Sequence, residues 1–113
     1  MATFSKVILS GSTDGRPVSV VQTATAGDLL HTADASAIDE VWLYALNRHT
    51  GDVVLTIELG GVTAGDLITV TLTADGGPVL IVPGTPMTNS LVVRAFADTT
   101  AVVSVFGWVN RIS

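Results

Sequence analysis

Ala37-Ile38-Asp39-Glu40-Val41-Trp42-Leu43-Tyr44-Ala45-Leu46-Asn47 admits two readings, and the fold follows from the choice between them. As a helix, Ala37, Ile38, Val41, Trp42, Ala45 and Leu46 form a stripe, and Ser36 with Asp39 resembles a weak capping box. As a strand, Val41, Leu43 and Ala45 share one face, and Trp42, Tyr44 and Leu46 share the other. The sequence that follows favours the strand. Asn47-Arg48-His49-Thr50-Gly51-Asp52 has the composition of a hairpin connection. Beyond it, Val53, Leu55, Ile57 and Leu59 alternate with Val54, Thr56 and Glu58, which places the first set inward and the second outward.

The same alternation recurs along the chain. Ile68, Val70 and Leu72 face in, while Thr69, Thr71 and Thr73 make a solvated threonine row. Lys6 to Leu9, Arg16 to Gln22, Leu29 to Thr32, Val79 to Val82, Ser90 to Ala97 and Ala101 to Asn110 complete the expected strands. Glycine-rich turns and the Pro83-Gly84-Thr85-Pro86 segment, expected as a rigid loop, separate them, and Asp98-Thr99-Thr100 makes a tight turn before the last. Composition agrees: valine (17), threonine (15) and isoleucine (6) dominate 113 residues, whereas lysine occurs once and glutamate twice. The expectation is an all-β chain, a two-sheet antiparallel sandwich of jelly-roll or Greek-key type with about eight or nine strands. Residues 1–16 read as an N-terminal arm with the first strand, and residues 17–113 as a single β-sandwich domain.

Charge and chemistry narrow the function classes. A net charge of −5 argues against a nucleic-acid partner, which needs a basic face. Absence of cysteine removes disulfides and thiolate metal sites. No apolar run approaches the roughly 18 residues that cross a bilayer, and no secretory leader is expected. His31 and His49 lack metal-ligand spacing, and no G-x-S-x-G elbow accompanies the serines. Asp39-Glu40 is a carboxylate pair, and acids beside glycine at Asp14, Asp28, Asp52, Asp66 and Asp75 fit turn chemistry. No enzyme activity, metal or cofactor is expected. Trp42, Tyr44 and Trp108 suit a core or an interface better than a sugar-stacking platform.

Two segments are too apolar for a strand buried on one face only. Trp42, Tyr44 and Leu46 back onto Val41, Leu43 and Ala45, and Phe106 and Trp108 back onto Val103, Val105 and Val109. A second copy of the chain is the simplest cover, with Trp42, Tyr44, Phe106 and Trp108 at the seam. Arg94 and Arg111 lie on or beside the last two strands, as intersubunit ion-pair partners or as simple exposed arginines.

Asp39 to Asn47, Asp52 to Gly61, Pro78 to Pro86 and Val103 to Ile112, in that order, resemble small virion structural proteins of tailed bacteriophages, most of all the capsid decoration, or cement, type. The resemblance implies a β-sandwich or jelly roll that forms homotrimers on the capsid exterior and clamps neighbouring copies of the major capsid protein. It implies assembly in the host bacterial cytoplasm and no enzyme activity or cofactor. On that reading Phe4, Lys6 and Arg16 of the arm, with Pro83 and Pro86, face the capsid. A tail, collar or head-fibre component is the structural alternative. A carbohydrate- or receptor-binding module is the alternative of another class.

Overall fold

The computed structural model describes residues 2–113. The described chain forms nine strands: β1 (Phe4–Ile8), β2 (Val18–Val20), β3 (Asp28–Thr32), β4 (Ile38–Asn47), β5 (Val53–Leu59), β6 (Leu67–Leu72), β7 (Val79–Met87), β8 (Val92–Ala97) and β9 (Val103–Ile112). The segment quoted at the outset is therefore a strand. All pairings are antiparallel. Sheet A runs β1-β9-β4-β7, with β2 also on β9, and sheet B runs β3-β8-β5-β6. β1 pairs with the C-terminal half of β9 and β2 with its N-terminal half, so the two act as one interrupted edge strand. Counted that way, two four-stranded sheets share a chain that crosses between them repeatedly, which is the jelly-roll order.

Alternation builds the core. Val41, Leu43 and Ala45 of β4 and Val103, Val105 and Val109 of β9 point into the gap and meet Val53, Leu55 and Ile57 of β5 and Val93, Ala95 and Ala97 of β8. Facing sheets lie about 10 Å apart, a gap that these aliphatic side chains fill.

Four local expectations change. The Asn47–Asp52 segment is not a hairpin loop, because β4 and β5 lie in different sheets. Its turn chemistry serves an inter-sheet corner: the Asn47 side chain donates to the carbonyls of Gly51 (3.0 Å) and Leu72 (2.9 Å) and accepts from the His49 N–H (2.8 Å). Pro83 to Pro86 is strand, not loop. β7 is an edge strand, where a missing N–H costs no ladder bond. Two register shifts against β4 leave Gly84 and Ile81 without a direct partner. Gly84 adopts a φ of 69°, and a Cβ there would sit 2.7 Å from the Trp42 ring.

Thr56 and Glu58 do point to the outer side of sheet B, yet both are buried. The Gly27 N–H donates to both Glu58 oxygens, at 2.9 and 3.1 Å, so the segment before β3 folds over that carboxylate. The N-terminal arm is not free. β1 is in register with β9, Leu9 is in the core, and Thr3 and Ser113 exchange both backbone bonds. Met1, the first residue of that expected arm, lies outside the described residues.

Gly107 tests the close approach of the two central strands of sheet A. A Cβ there would run into the Trp42 carbonyl, which is backbone and has no rotamer to give. Gly107→Ala is expected to lower stability by about 1–3 kcal/mol or more, measured as a shift of the urea unfolding midpoint. An unchanged midpoint refutes this packing.

Candidate functional site

Two groups of side chains rise above the ordinary sandwich. The first is an ionic cluster built on buried Asp39 and His31 at one end of the sheets. Asp39 on β4 and Arg111 on β9 are directly opposed in register and both point inward. Arg111 Nε donates to Asp39 Oδ1 (2.7 Å) and its Nη2 to Oδ2 (3.0 Å). His31 of β3 reaches across from sheet B, with Nε2 2.8 Å from Asp39 Oδ2. The Ser10 N–H donates to His31 Nδ1 at 3.0 Å, so Nε2 carries the proton and donates to Asp39. The Asp34 N–H adds a further bond to Asp39 at 3.1 Å.

His31 and Asp39 are closed to solvent. Burial alone pushes the Asp39 carboxyl up, but the bonds from Arg111, His31 and the Asp34 amide outweigh it and hold the group down at about 2. Arg111 is raised in turn by its bond to Asp39. Asp34 is lowered by the amides of Ala37 and Ser36, which donate to it at 2.8 and 3.1 Å. His31 Nδ1 accepts the Ser10 amide rather than a hydroxyl, and Ser10 Oγ accepts the Thr32 N–H (2.7 Å), so the His31–Asp39 pair is not extended into a nucleophilic triad. The cluster ties sheet A, sheet B and the β1–β2 loop together. Arg111, expected at an intersubunit seam or on the surface, is engaged inside its own subunit.

The second group is the outer face of sheet A. Strand alternation puts Trp42 and Tyr44 of β4 and Phe106 and Trp108 of β9 there, as directly opposed pairs. Their rings stack on one another: Trp42 on Trp108 (5.8 Å between centroids), Tyr44 on Trp108 (6.0 Å) and Tyr44 on Phe106 (5.6 Å). Lys6 lies over the Trp108 ring at 5.5 Å. All four rings are half-buried. Around them Phe4 is 73% exposed, Ile8 52%, Ile38 44% and Leu80 42%, so the face remains apolar at its margins as well as its centre. Lys6, Glu40 and Arg48 carry its charges: Lys6 and Glu40 are in register with Asn110, and Arg48 donates to the outward Ser104 Oγ at 3.0 Å and Ser19 Oγ at 3.4 Å. Trp42 Nε1 is buried without a hydrogen-bond partner, alone in this among the described side chains.

Register sorts the residues singled out from sequence. Trp42, Tyr44, Phe106 and Trp108 come together. Phe4, Lys6, Pro83 and Pro86 lie on the same face, since Phe4 and Lys6 pair with Ile112 and Asn110, and Pro83 and Pro86 pair with Trp42 and Glu40. The expected seam and the expected capsid-facing set thus share one surface. Arg16 is elsewhere, exposed in the β1–β2 loop beside a cleft lined by Gly11, Thr13 and Val18. Arg94 is on the outer side of sheet B, where it donates to the Gly27 carbonyl at 3.2 Å. Ile8, Ile38 and Leu80 were missed, although the alternation of β1, β4 and β7 carries them. No family model, no curated protein and no solved structure matches this chain.

Asp39 sets an acid limb of stability. Its folded value lies below the usual value near 3.8, so its contribution is present above about pH 4 and is lost as pH falls towards 2. Roughly 2 kcal/mol is expected to disappear across that window, read from urea midpoints at successive pH values. In Asp39→Asn this limb is expected to be missing. Because that change takes the carboxylate from half-buried Arg111 and buried His31, the variant is also expected to be roughly 1–3 kcal/mol less stable at neutral pH.

Proposed function

We propose that this chain is a structural protein of a tailed-bacteriophage virion, of the capsid decoration type, which assembles as a homotrimer and attaches to the major capsid protein on the outside of the shell. The observation that carries the reading is the outer face of sheet A. It joins four stacked rings to exposed Phe4, Ile8, Ile38 and Leu80 on one surface that is apolar apart from Lys6, Glu40 and Arg48. Scattered apolar residues are ordinary on a soluble surface, but a contiguous patch of this kind marks an interaction site.

Ring geometry favours a protein as the cover. A sugar-binding platform presents open ring faces, whereas these rings have turned their faces to each other and to Lys6. What remains outward is ring edges and aliphatic ends, which suit another packed apolar surface. Fully burying one such side chain is worth roughly 1.5–3 kcal/mol. Several per subunit reach the order of the ~4–15 kcal/mol that association costs. Repetition around a trimer and over many copies on a shell multiplies weak contacts without any covalent chemistry. The jelly-roll order and the resemblance to phage decoration proteins support the same reading, and an acidic chain on the outer shell has no DNA to touch.

Sedimentation equilibrium at micromolar concentration tests it. The expected mass is three times the 11.6 kDa of one chain. Ile8→Lys combined with Leu80→Lys is expected to give folded monomer, because both positions are exposed in the single subunit. The trimer is expected to bind shells made of the major capsid protein alone. A wild-type monomer, or a trimer that ignores such shells, overturns the proposal.

A further inference from the structure

We infer that the free edge of β6 is a strand-addition site for an extended segment of a different protein, one with an uncharged β-forming centre and basic residues at its ends. Open sheet edges present unpaired amides and carbonyls, and native proteins block them with lysine, proline, bulges or covering loops. Three of the four edges in this sandwich are blocked in that way. β7 carries Pro83 and Pro86 and two register shifts. β3 is covered by the β1–β2 loop, whose Gly11 N–H bonds the Leu30 carbonyl (2.9 Å) and whose Ser10 Oγ accepts the Thr32 N–H (2.7 Å). The β1–β2 edge is interrupted over residues 9–17 and carries Lys6.

β6 has none of these devices. Leu67-Ile68-Thr69-Val70-Thr71-Leu72 is uncharged, free of proline and unbroken in its register with β5, its sole strand partner among the described residues. Thr69 and Thr71 are exposed, while Ile68 and Val70 pack on the core and stay half-exposed at the sandwich flank. An added strand would complete the ladder, with its alternate side chains covering Ile68 and Val70.

Charge selects the occupant. Asp66 stands at the N-terminal end of β6, and exposed Asp75 and Asp52 stand at the other, where Asp52 accepts the Ala74 N–H at 3.4 Å. A second copy pairing antiparallel would bring Asp66 towards its partner's Asp75, between chains that each carry −5. A segment with lysine or arginine at both ends meets attraction at both.

The probe is a short synthetic peptide of alternating valine and threonine with two lysines at each end, added to the 113-residue chain at low salt. Amide hydrogen exchange is expected to slow across Leu67–Leu72, and the effect to weaken as salt rises. A glutamate-ended peptide is expected to bind at least about tenfold more weakly. N-methylation of alternate peptide amides is expected to abolish protection, since the contact is main-chain. Asp66→Asn with Asp75→Asn leaves the edge intact, and Asn tolerates the positive φ at position 75; affinity for the lysine-ended peptide is expected to fall about fivefold. The inference is overturned by unchanged exchange at β6, by equal binding of the glutamate-ended or N-methylated peptide, or by protection of β6 that rises with protein concentration in the absence of peptide. The last outcome would assign the edge to a second copy. Trimer mass is measured without peptide, so this site and the sheet A face stand or fall separately.

Discussion

The gap between the two sheets is filled by valine, alanine, leucine and isoleucine, with one methionine at its margin, and that decides where every ring goes. None of the six aromatic residues belongs to the core. On a strand the side chains alternate strictly, so small inward residues on β4 and β9 send the intervening Trp42, Tyr44, Phe106 and Trp108 outward. Gly107 lets the two strands approach beside the Trp42 carbonyl, and Gly84 lets β7 lie against the Trp42 ring. With no further layer over sheet A among the described residues, the rings shelter one another by stacking. The apolar outer face is thus a consequence of a thin aliphatic core in a chain rich in β-forming residues.

Register is the second constraint, and the ionic cluster reports on it. Slipping β4 by one residue against β9 would turn every inward side chain outward, exposing Val41 and Leu43 and burying Glu40 and Trp42. It would also part Asp39 from Arg111 and leave a charge in the core. A buried ion pair gives little net stability against an apolar substitute, but breaking one is costly. Asp39 and Arg111 therefore act most strongly against wrong alignments. His31 extends that discrimination to the second sheet, and the bond from the Ser10 amide extends it to the loop that covers the β3 edge.

How much was legible in sequence depended on the range of the interaction. Alternation at Val53–Leu59 and Leu67–Leu72 marked those strands directly, because side-chain period is a local property. The same rule contained the ionic cluster: Asp39 shares its face with Val41 and Leu43, and Arg111 with Val109 and Val105, so an inward acid and an inward base were both on the page. Treating Asp39 and Glu40 as a pair hid this, since neighbours on a strand point to opposite faces. Corners were not legible. Asn47 to Asp52 has the residues of a hairpin, and the same residues bend a chain from one sheet to the other. Prolines at 83 and 86 looked like a loop because edge position is a property of the sheet and not of the strand. Glu58 alternated correctly, and the segment at Gly27, 31 residues away, folds over its carboxylate beside Arg94.

Charge and exposed apolar surface are separated here by placement. Ten acids against five bases make copies of the chain repel one another, yet among the described residues the sheet A face carries only Lys6, Glu40 and Arg48 beside its apolar side chains. Repulsion between copies therefore acts at long range and is weakest over that apolar face. At β6 the order is reversed, with an uncharged strand between acidic ends. Backbone bonding there is indifferent to sequence, because every chain offers the same amides and carbonyls. Discrimination must come from what flanks the ladder, and on the inferred reading acids at both ends would admit a basic-ended strand while opposing a second copy. On the proposed reading, a face selective by shape and an edge selective by charge would let one small sandwich meet two kinds of neighbour without confusing them.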